Sequence, residues 1–197
     1  MRKIAAFAIV AVLLLALLIQ AEPASASPIP SGVYVFIGNY FFNRGSYDTA
    51  ANFFESAIKK DNNSVAHHNM GVIYYEKGDN ANAESEFRNA LAANDNYAKA
   101  HNSLALLLFH EGKYEEAAGH FTKVIELEPK NAQAHFDLGV SIANNVRYNN
   151  GNIGDLSAAL EHFKAAERLQ PGYPHALQNI DVMETILEKY YELKLSS

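Results

Sequence analysis

Apolar residues recur at steps of three and four from residue 31 onward, the spacing that places them on one face of an α-helix. A first run contains Tyr34, Ile37, Gly38 and Phe41, and a second contains Ala50, Phe53, Phe54, Ala57 and Ile58. Residues 43–46, Asn-Arg-Gly-Ser, separate the runs, and a glycine there can end a helix without steric cost. The pattern predicts two helices joined by a tight turn.

The same alternation of helical runs and breaks returns three more times along the chain. Gly78 and Gly112 stand at two of the equivalent turns. The second helix of each hairpin is expected to end near Asn62, Asn94, Pro129 and Pro171, where Asn or Pro opposes continuation. The chain is therefore predicted to form four helical hairpins, or eight helices.

Two columns of residues show the period of these hairpins. Small residues recur at intervals of 33, 34 and 34 positions, as Gly38, Gly71, Ala105 and Gly139. A second column, Ala50, Ala83, Ala117 and Ala159, is followed four residues later by Phe54, Phe87, Phe121 and Phe163. Small side chains let two helix backbones approach closely, and we expect each phenylalanine to fill the space beside them.

This 34-residue pattern resembles the tetratricopeptide repeat, or TPR, a helix-turn-helix unit with small and aromatic residues at fixed places. The resemblance covers residues 31 to about 173 and gives repeats at 31–63, 64–97, 98–131 and 132–173. It implies an all-α fold, a right-handed solenoid of four helical hairpins. Residues 174–197 are predicted to form a capping helix, and a partner-binding helix is the alternative. The face predicted to cover the last repeat holds Leu177, Ile180, Met183, Leu187, Tyr190 and Tyr191.

The fourth repeat contains eight extra residues near positions 144–155, a segment rich in Asn and Gly. We expect a flexible surface loop here, with Asp155 capping the helix that follows. Loops on rigid scaffolds often carry function, so Arg147 and Tyr148 are candidate partner contacts.

The first 26 residues have the layout of a secretory signal peptide. Arg2 and Lys3 precede an apolar run at residues 4–19, and Ala24-Ser25-Ala26 supplies a small-x-small cleavage site. An uncleaved membrane anchor is the alternative, since 16 apolar residues are slightly fewer than the ~17 needed to span a bilayer. Both interpretations predict that residues 27–197 lie outside the cytoplasm, in the periplasm or secreted.

Composition narrows the classes of partner and chemistry. The formal net charge is −6 without a basic cluster, which argues against nucleic acid and anionic lipid surfaces as partners. The chain has no cysteine, which excludes disulfides, a thiol nucleophile and a cysteine-based zinc site. No phosphate-binding loop, nucleophile elbow or pair of catalytic carboxylates is present, so we expect no enzyme and no cofactor.

Histidines occupy the same place in three successive repeats, as His67, His101 and His135. Equivalent places on stacked helices lie about 8 to 10 Å apart, too far to share a metal ion with bonds of about 2 Å. We therefore expect no metal site, and interpret each imidazole as a substitute for the bulky aromatic residue usual at this place.

In the family that the chain resembles, the first helices of the hairpins line a concave groove that binds peptides. The places that would face this groove hold Val35, Asn39, Phe42, Asn43, His68, Asn69, Val72, Tyr75, Glu76, Lys99, Asn102, Leu106, Phe109, Phe136, Val140 and Asn144. Apolar side chains left in a groove mark a partner site, and the asparagine amides could hold a peptide backbone. The expected ligand is a protein or peptide. Two alternatives stay open: a small apolar ligand lined by Phe42, Tyr75, Phe109 and Phe136, and a self-assembling structural module.

Overall fold

The computed structural model describes residues 29–196, which form nine α-helices, one 3₁₀ turn and no strand. The helices are α1 Ser31–Phe42, α2 Tyr47–Asp61, α3 Ser64–Glu76, α4 Asn80–Ala93, α5 Ala98–His110, α6 Tyr114–Leu127, α7 Ala132–Tyr148, α8 Leu156–Leu169 and α9 Ala176–Leu195, with the 3₁₀ turn at Ile153–Asp155. They belong to two compact units, of which the first ends at Tyr97 and the second begins at Ala98. The all-α fold of helical hairpins predicted from the sequence is confirmed.

The turn between α3 and α4 shows how the sequence ends one helix and starts the next. Gly78 has φ +77°, a left-handed conformation that L side chains rarely adopt. Its N–H donates to the Tyr75 carbonyl at 2.9 Å, and the Asp79 N–H donates to the Tyr74 carbonyl at 2.9 Å. Asp79 then accepts a hydrogen bond from the Asn82 N–H with its side chain. The chain therefore reverses within three residues.

In the first unit, glycine and phenylalanine of the two helices of each hairpin are in direct contact. A Cβ placed on Gly71 would lie 2.6 Å from two ring carbons of Phe87 and 3.2 Å from the Ala83 carbonyl oxygen. The first hairpin repeats this arrangement with Gly38 against the ring of Phe54. The packing role predicted for both columns is confirmed.

The second unit uses the same contact. A Cβ on Gly139 would lie 2.8 Å from the Phe163 ring and 3.1 Å from the Ala159 carbonyl oxygen. In the preceding hairpin Ala105 takes the place of glycine, and both Ala105 and Phe121 are buried. This hairpin therefore accommodates one methyl group where the others leave no room for it.

Helix α9 packs against α8 at the end of the second unit. Met183 and Leu187 are buried in a cluster with Leu156 and Phe163, so α9 covers the last hairpin as predicted. The prediction was wrong for Leu177 and Tyr191, which are 61% and 47% exposed. The covering face of α9 is narrower than the sequence pattern indicated.

Much of the eight-residue insertion is helical rather than a loop, which corrects the expectation. Helix α7 has 17 residues, whereas α3 and α5 have 13 each. The helix continues because Ala143 and Val146 pack against the buried cluster of this unit and extend its apolar face. Residues 149–152 then lead into the 3₁₀ turn.

Asp155 does not cap α8, which is a second correction in this region. Its backbone is already helical, with φ −69° and ψ −17°, and its side chain makes no capping hydrogen bond. The 3₁₀ turn leads directly into α8, and the side chain of Asn152 accepts a hydrogen bond from the Gly154 N–H at 2.8 Å instead.

Residues 1–26, interpreted above as a signal peptide or anchor, lie outside the described residues. Between residues 29 and 196, no helix is both long and apolar enough to cross a membrane.

Replacing Ala83 by Leu should destabilise the second hairpin. Ala83 has no exposed surface, and its backbone lies against Gly71, so the larger side chain overpacks the contact at a cost of about 1 to 3 kcal/mol. Urea unfolding followed by circular dichroism measures this loss. Ala81→Leu is the control, because Ala81 is exposed on the same helix. Equal unfolding midpoints for the two variants would contradict the assigned packing.

Candidate functional site

Apart from Asn43, the predicted groove residues lie on the first helix of each hairpin, which is α1 or α3 in the first unit and α5 or α7 in the second. On α1 and α3, Asn69 donates its side-chain amide to the Asn39 side-chain oxygen at 2.7 Å. The Asn69 oxygen also lies 3.2 Å from Nδ1 of His68. The two asparagines thus bond one helix to the other, and only their remaining donors and acceptors are available to a peptide. Asn43 is exposed and follows the end of α1.

Two of the predicted residues are buried. Val35 is 8% exposed and belongs to the core of the first unit together with Met70. His68 is 9% exposed, and its ring centroid lies 5.6 Å from that of Phe87 and 5.3 Å from that of Tyr97. Val35 and His68 therefore contribute mainly to packing and offer little surface to a partner.

Among the predicted groove residues of the first unit, the accessible apolar surface is at the end of α3. Tyr75 is 42% exposed, Val72 is half-buried beside it, and Glu76 is exposed. Phe42 at the end of α1 is half-buried because its ring packs against Tyr47, with 5.3 Å between centroids. Tyr75 is therefore the large predicted groove residue of this unit that is best placed to contact a partner.

In the second unit, predicted residues of α5 and α7 line a partly open cavity of about 140 Å³. Its apolar lining consists of Leu106, Phe109, Phe121, Phe136 and Val140, and His110 and Asp137 supply polar groups. Leu106 is 38% exposed at this cavity. Of the other predicted residues in this unit, Lys99 is exposed, whereas Asn102 and Asn144 are half-buried.

Asp137 was not predicted from the sequence. Gln133, one turn earlier on α7, donates its side-chain amide to both carboxylate oxygens at 2.9 Å. The Tyr173 hydroxyl donates to the side-chain oxygen of Gln133, which turns the amide nitrogen toward Asp137. Burial raises the pKa of the Asp137 carboxyl, and the hydrogen bond from Gln133 opposes this in part. The sequence did contain a signal for Asp137, because its carboxylate stands next to the predicted groove residue Phe136 and three positions before Val140.

Arg147 and Tyr148 are both exposed near the end of α7. The Arg147 guanidinium lies 5.1 Å from the centre of the Tyr148 ring, and Tyr148 is 58% exposed. The Tyr148 ring lies 6.0 Å from that of Tyr114 on α6. These two residues stay candidate contacts, now on a helix end instead of a loop.

The recurring histidines of the first helices each contact a polar side chain from the second helix of the same hairpin. His67 Nδ1 lies 2.7 Å from a Glu86 carboxylate oxygen. His101 and His120 approach each other at 2.9 Å between Nδ1 atoms, and His135 and His162 do so at 3.1 Å. In the part of the chain that the structure describes, no group of three or more potential ligands could hold a metal ion. The three imidazoles thus make polar contacts between the two helices of a hairpin. From the sequence alone, they were interpreted only as substitutes for an aromatic ring.

The pair of His135 and His162 should make the second unit less stable in acid. Burial lowers the pKa of His162, nearby His135 lowers it further, and Glu161 raises it in part. The folded protein then binds fewer protons at His162 than the unfolded chain, so stability falls as the pH drops below the ordinary value of about 6.5. Thermal unfolding between pH 7 and pH 5 measures the effect.

The variant His162→Gln should lose less stability over this range than the wild-type protein. His110→Gln, a change at an exposed position of α5, is the control and should keep the wild-type dependence. A dependence on pH that is the same in all three proteins would refute the role of His162.

Comparison with known proteins places these hairpins in a family. The family model named Tetratricopeptide repeat matches residues 68–127 and 111–174. No curated protein matches the chain in sequence.

Solved structures with the same fold include YrrB, described as a TPR protein with an unusual peptide-binding site. It is 24% identical to the chain, with a TM-score of 0.68 over 79% of this chain and 77% of YrrB. PilF of Pseudomonas aeruginosa is 21% identical, with a TM-score of 0.63 over 82% of this chain and 70% of its own.

A third structure is the first TPR domain of Spaghetti (RPAP3) bound to the HSP90 peptide SRMEEVD. It is 32% identical, with a TM-score of 0.53, and covers 56% of this chain and 91% of its own. The matches to the family model extend over more than half of the 197 residues. The chain therefore belongs to the tetratricopeptide repeat family.

Proposed function

We propose that the chain is an exported prokaryotic scaffold or adaptor without enzymatic activity, which binds another protein through the first helices of its hairpins. The observation that carries this proposal is that two of the predicted groove residues with large apolar side chains are accessible on these helices, Tyr75 on α3 and Leu106 beside the cavity on α5. Accessible apolar side chains on a folded surface are typical of partner sites.

The related structures support a peptide or protein as the ligand. Two of them are described by the peptides or peptide-binding site they contain. Some members of the family grip the carboxyl terminus of a peptide with several cations, but the equivalent places here hold Val35, Asn39, Asn69, Lys99 and Ser103. With one cation among five places and Val35 buried, an acidic C-terminal tail is not the ligand that this chain favours.

The size of the cavity favours a polypeptide over a small apolar or lipid-like ligand. Sites for small ligands usually enclose about 300 to 1,000 Å³ and bury most of the ligand. The apolar cavity on α5 and α7 measures about 140 Å³, which suits one side chain of a larger partner.

The proposed location outside the cytoplasm rests on residues 1–26, which have the charge, apolar core and small-x-small site of an export signal. Together with the scaffold fold, it leads us to propose that the partner belongs to a complex of the cell envelope.

Site-specific crosslinking in cells of the source organism tests the function. A photoreactive amino acid is introduced at Tyr75, at Leu106, or at Leu177, which is exposed on α9 and serves as the control. We expect the first two positions to form adducts with the same envelope protein and Leu177 to form none. Equal adducts at all three positions, or none at any, would contradict the proposal.

A further inference from the structure

We propose that the second unit recognises a peptide segment in which a large apolar residue stands next to a lysine or arginine. The apolar side chain enters the cavity on α5 and α7, and the cation binds the carboxylate of Asp137. This inference rests on the proposed function and adds to it the chemistry of the partner.

The cavity has the volume and lining for one apolar side chain. A cavity of about 150 Å³ lined by aliphatic and aromatic residues stays dry and binds a molecule the size of benzene. The cavity here measures about 140 Å³, and Leu106, Phe109, Phe136 and Val140 supply its apolar wall. One leucine, isoleucine or phenylalanine side chain of a partner fits this space.

Asp137 lies at the same cavity and has no cationic partner. Between residues 29 and 196 its side chain bonds only to Gln133, and no lysine or arginine forms an ion pair with it. Burial removes part of the water around the Asp137 carboxylate and thereby raises its pKa. A partly desolvated carboxylate without a counter-charge is stabilised when a cation binds.

The neighbours of Asp137 hold its carboxylate in place. Gln133 receives a hydrogen bond from the Tyr173 hydroxyl and donates to both carboxylate oxygens, so the Asp137 side chain cannot turn freely. Each carboxylate oxygen retains a lone pair for a second donor. An arginine or lysine beside the apolar anchor can reach these acceptors without rearrangement of the site.

The charge of the whole chain favours the same class of partner. With 22 acidic and 16 basic residues, the chain attracts basic segments and repels acidic ones over distances of about 10 Å. This attraction is nonspecific, and the experiment must therefore separate it from the contact with Asp137.

Selection from a random dodecapeptide library on the immobilised full chain tests the inference. We expect enriched peptides to contain a large apolar residue next to lysine or arginine. An enriched peptide and its Lys/Arg→Gln form are then compared by fluorescence anisotropy. Asp137→Asn should weaken binding of the basic peptide about tenfold and change binding of the Gln form less than about twofold. Asp181→Asn, the same change at an exposed position of α9, should alter neither.

The outcomes separate this inference from the proposed function. Enrichment of apolar peptides without a basic preference leaves peptide binding intact and overturns the role of Asp137. A basic preference that persists in Asp137→Asn assigns it to the overall charge and also overturns the inference. Enrichment of acidic peptides overturns it as well. Failure to enrich any peptide overturns the inference together with peptide binding by this chain.

Discussion

Replacing Phe87 by Ala is expected to lower the free energy of unfolding by about 3 to 5 kcal/mol. The ring is 2% exposed and lies against Gly71, which has no side chain that could move into the space left behind. The loss therefore combines the buried apolar surface of the ring with a cavity that the hairpin cannot close. Urea unfolding monitored by circular dichroism at 222 nm gives the difference from the wild-type protein.

Phe36→Ala is the matched control, because Phe36 is 63% exposed on a helix of the same unit. Its effect should stay within about 0.5 kcal/mol. If both variants unfolded at the same urea concentration, the ring of Phe87 would not stabilise the core as its burial indicates.

The second large effect is expected on partner binding. Changing Tyr75 and Leu106 together to Ala should weaken capture of the crosslinked partner by at least about 30-fold, since two central contact residues each contribute about 1 kcal/mol or more. Both side chains are accessible at 42% and 38%, so their loss should leave helicity nearly unchanged. Binding is measured by anisotropy with the labelled partner, and helicity by circular dichroism.

The control for this prediction makes the same two chemical changes on α9. Tyr191 and Leu177 are 47% and 61% exposed, so Tyr191→Ala with Leu177→Ala removes a similar amount of accessible apolar surface. Capture should change less than about twofold. A loss in the α9 variant with none in the Tyr75 and Leu106 variant would place the partner site on α9.

The helical hairpins could be predicted because local signals and long-range packing agree. The 34-residue period fixes which glycine meets which phenylalanine, as Gly71 with Phe87 and Gly139 with Phe163 show. Helix ends were also predictable where glycine marks the turn, as at Gly78. The length of α7 was not, because its Asn-rich extension carries no glycine before Gly151, and packing of Val146 decides that the helix continues.

The candidate site was less predictable, because exposure depends on neighbours that are distant in sequence. The family pattern selects the helix face, but it does not indicate that His68 packs between Phe87 and Tyr97. The setting of Asp137 depends on Tyr173, which lies 40 residues beyond the Gln133 that it contacts.

The histidine pairs illustrate the same limit. His67 and Glu86 are 19 residues apart, and His135 and His162 are 27 apart. The recurrence of histidine at one place of the repeat was visible in the sequence. The partner of each histidine on the second helix could not be predicted, because that contact depends on how the two helices pack.

Hydroxyl-radical footprinting of the complex with the crosslinked partner tests most directly whether the first helices bind it. The method measures oxidation of individual side chains by mass spectrometry, with and without the partner. Binding is expected to protect Tyr75 and Leu106 and to leave Tyr191 and Leu177 as reactive as in the free protein. Protection of Tyr191 and Leu177, with Tyr75 and Leu106 unchanged, would contradict binding by the first helices.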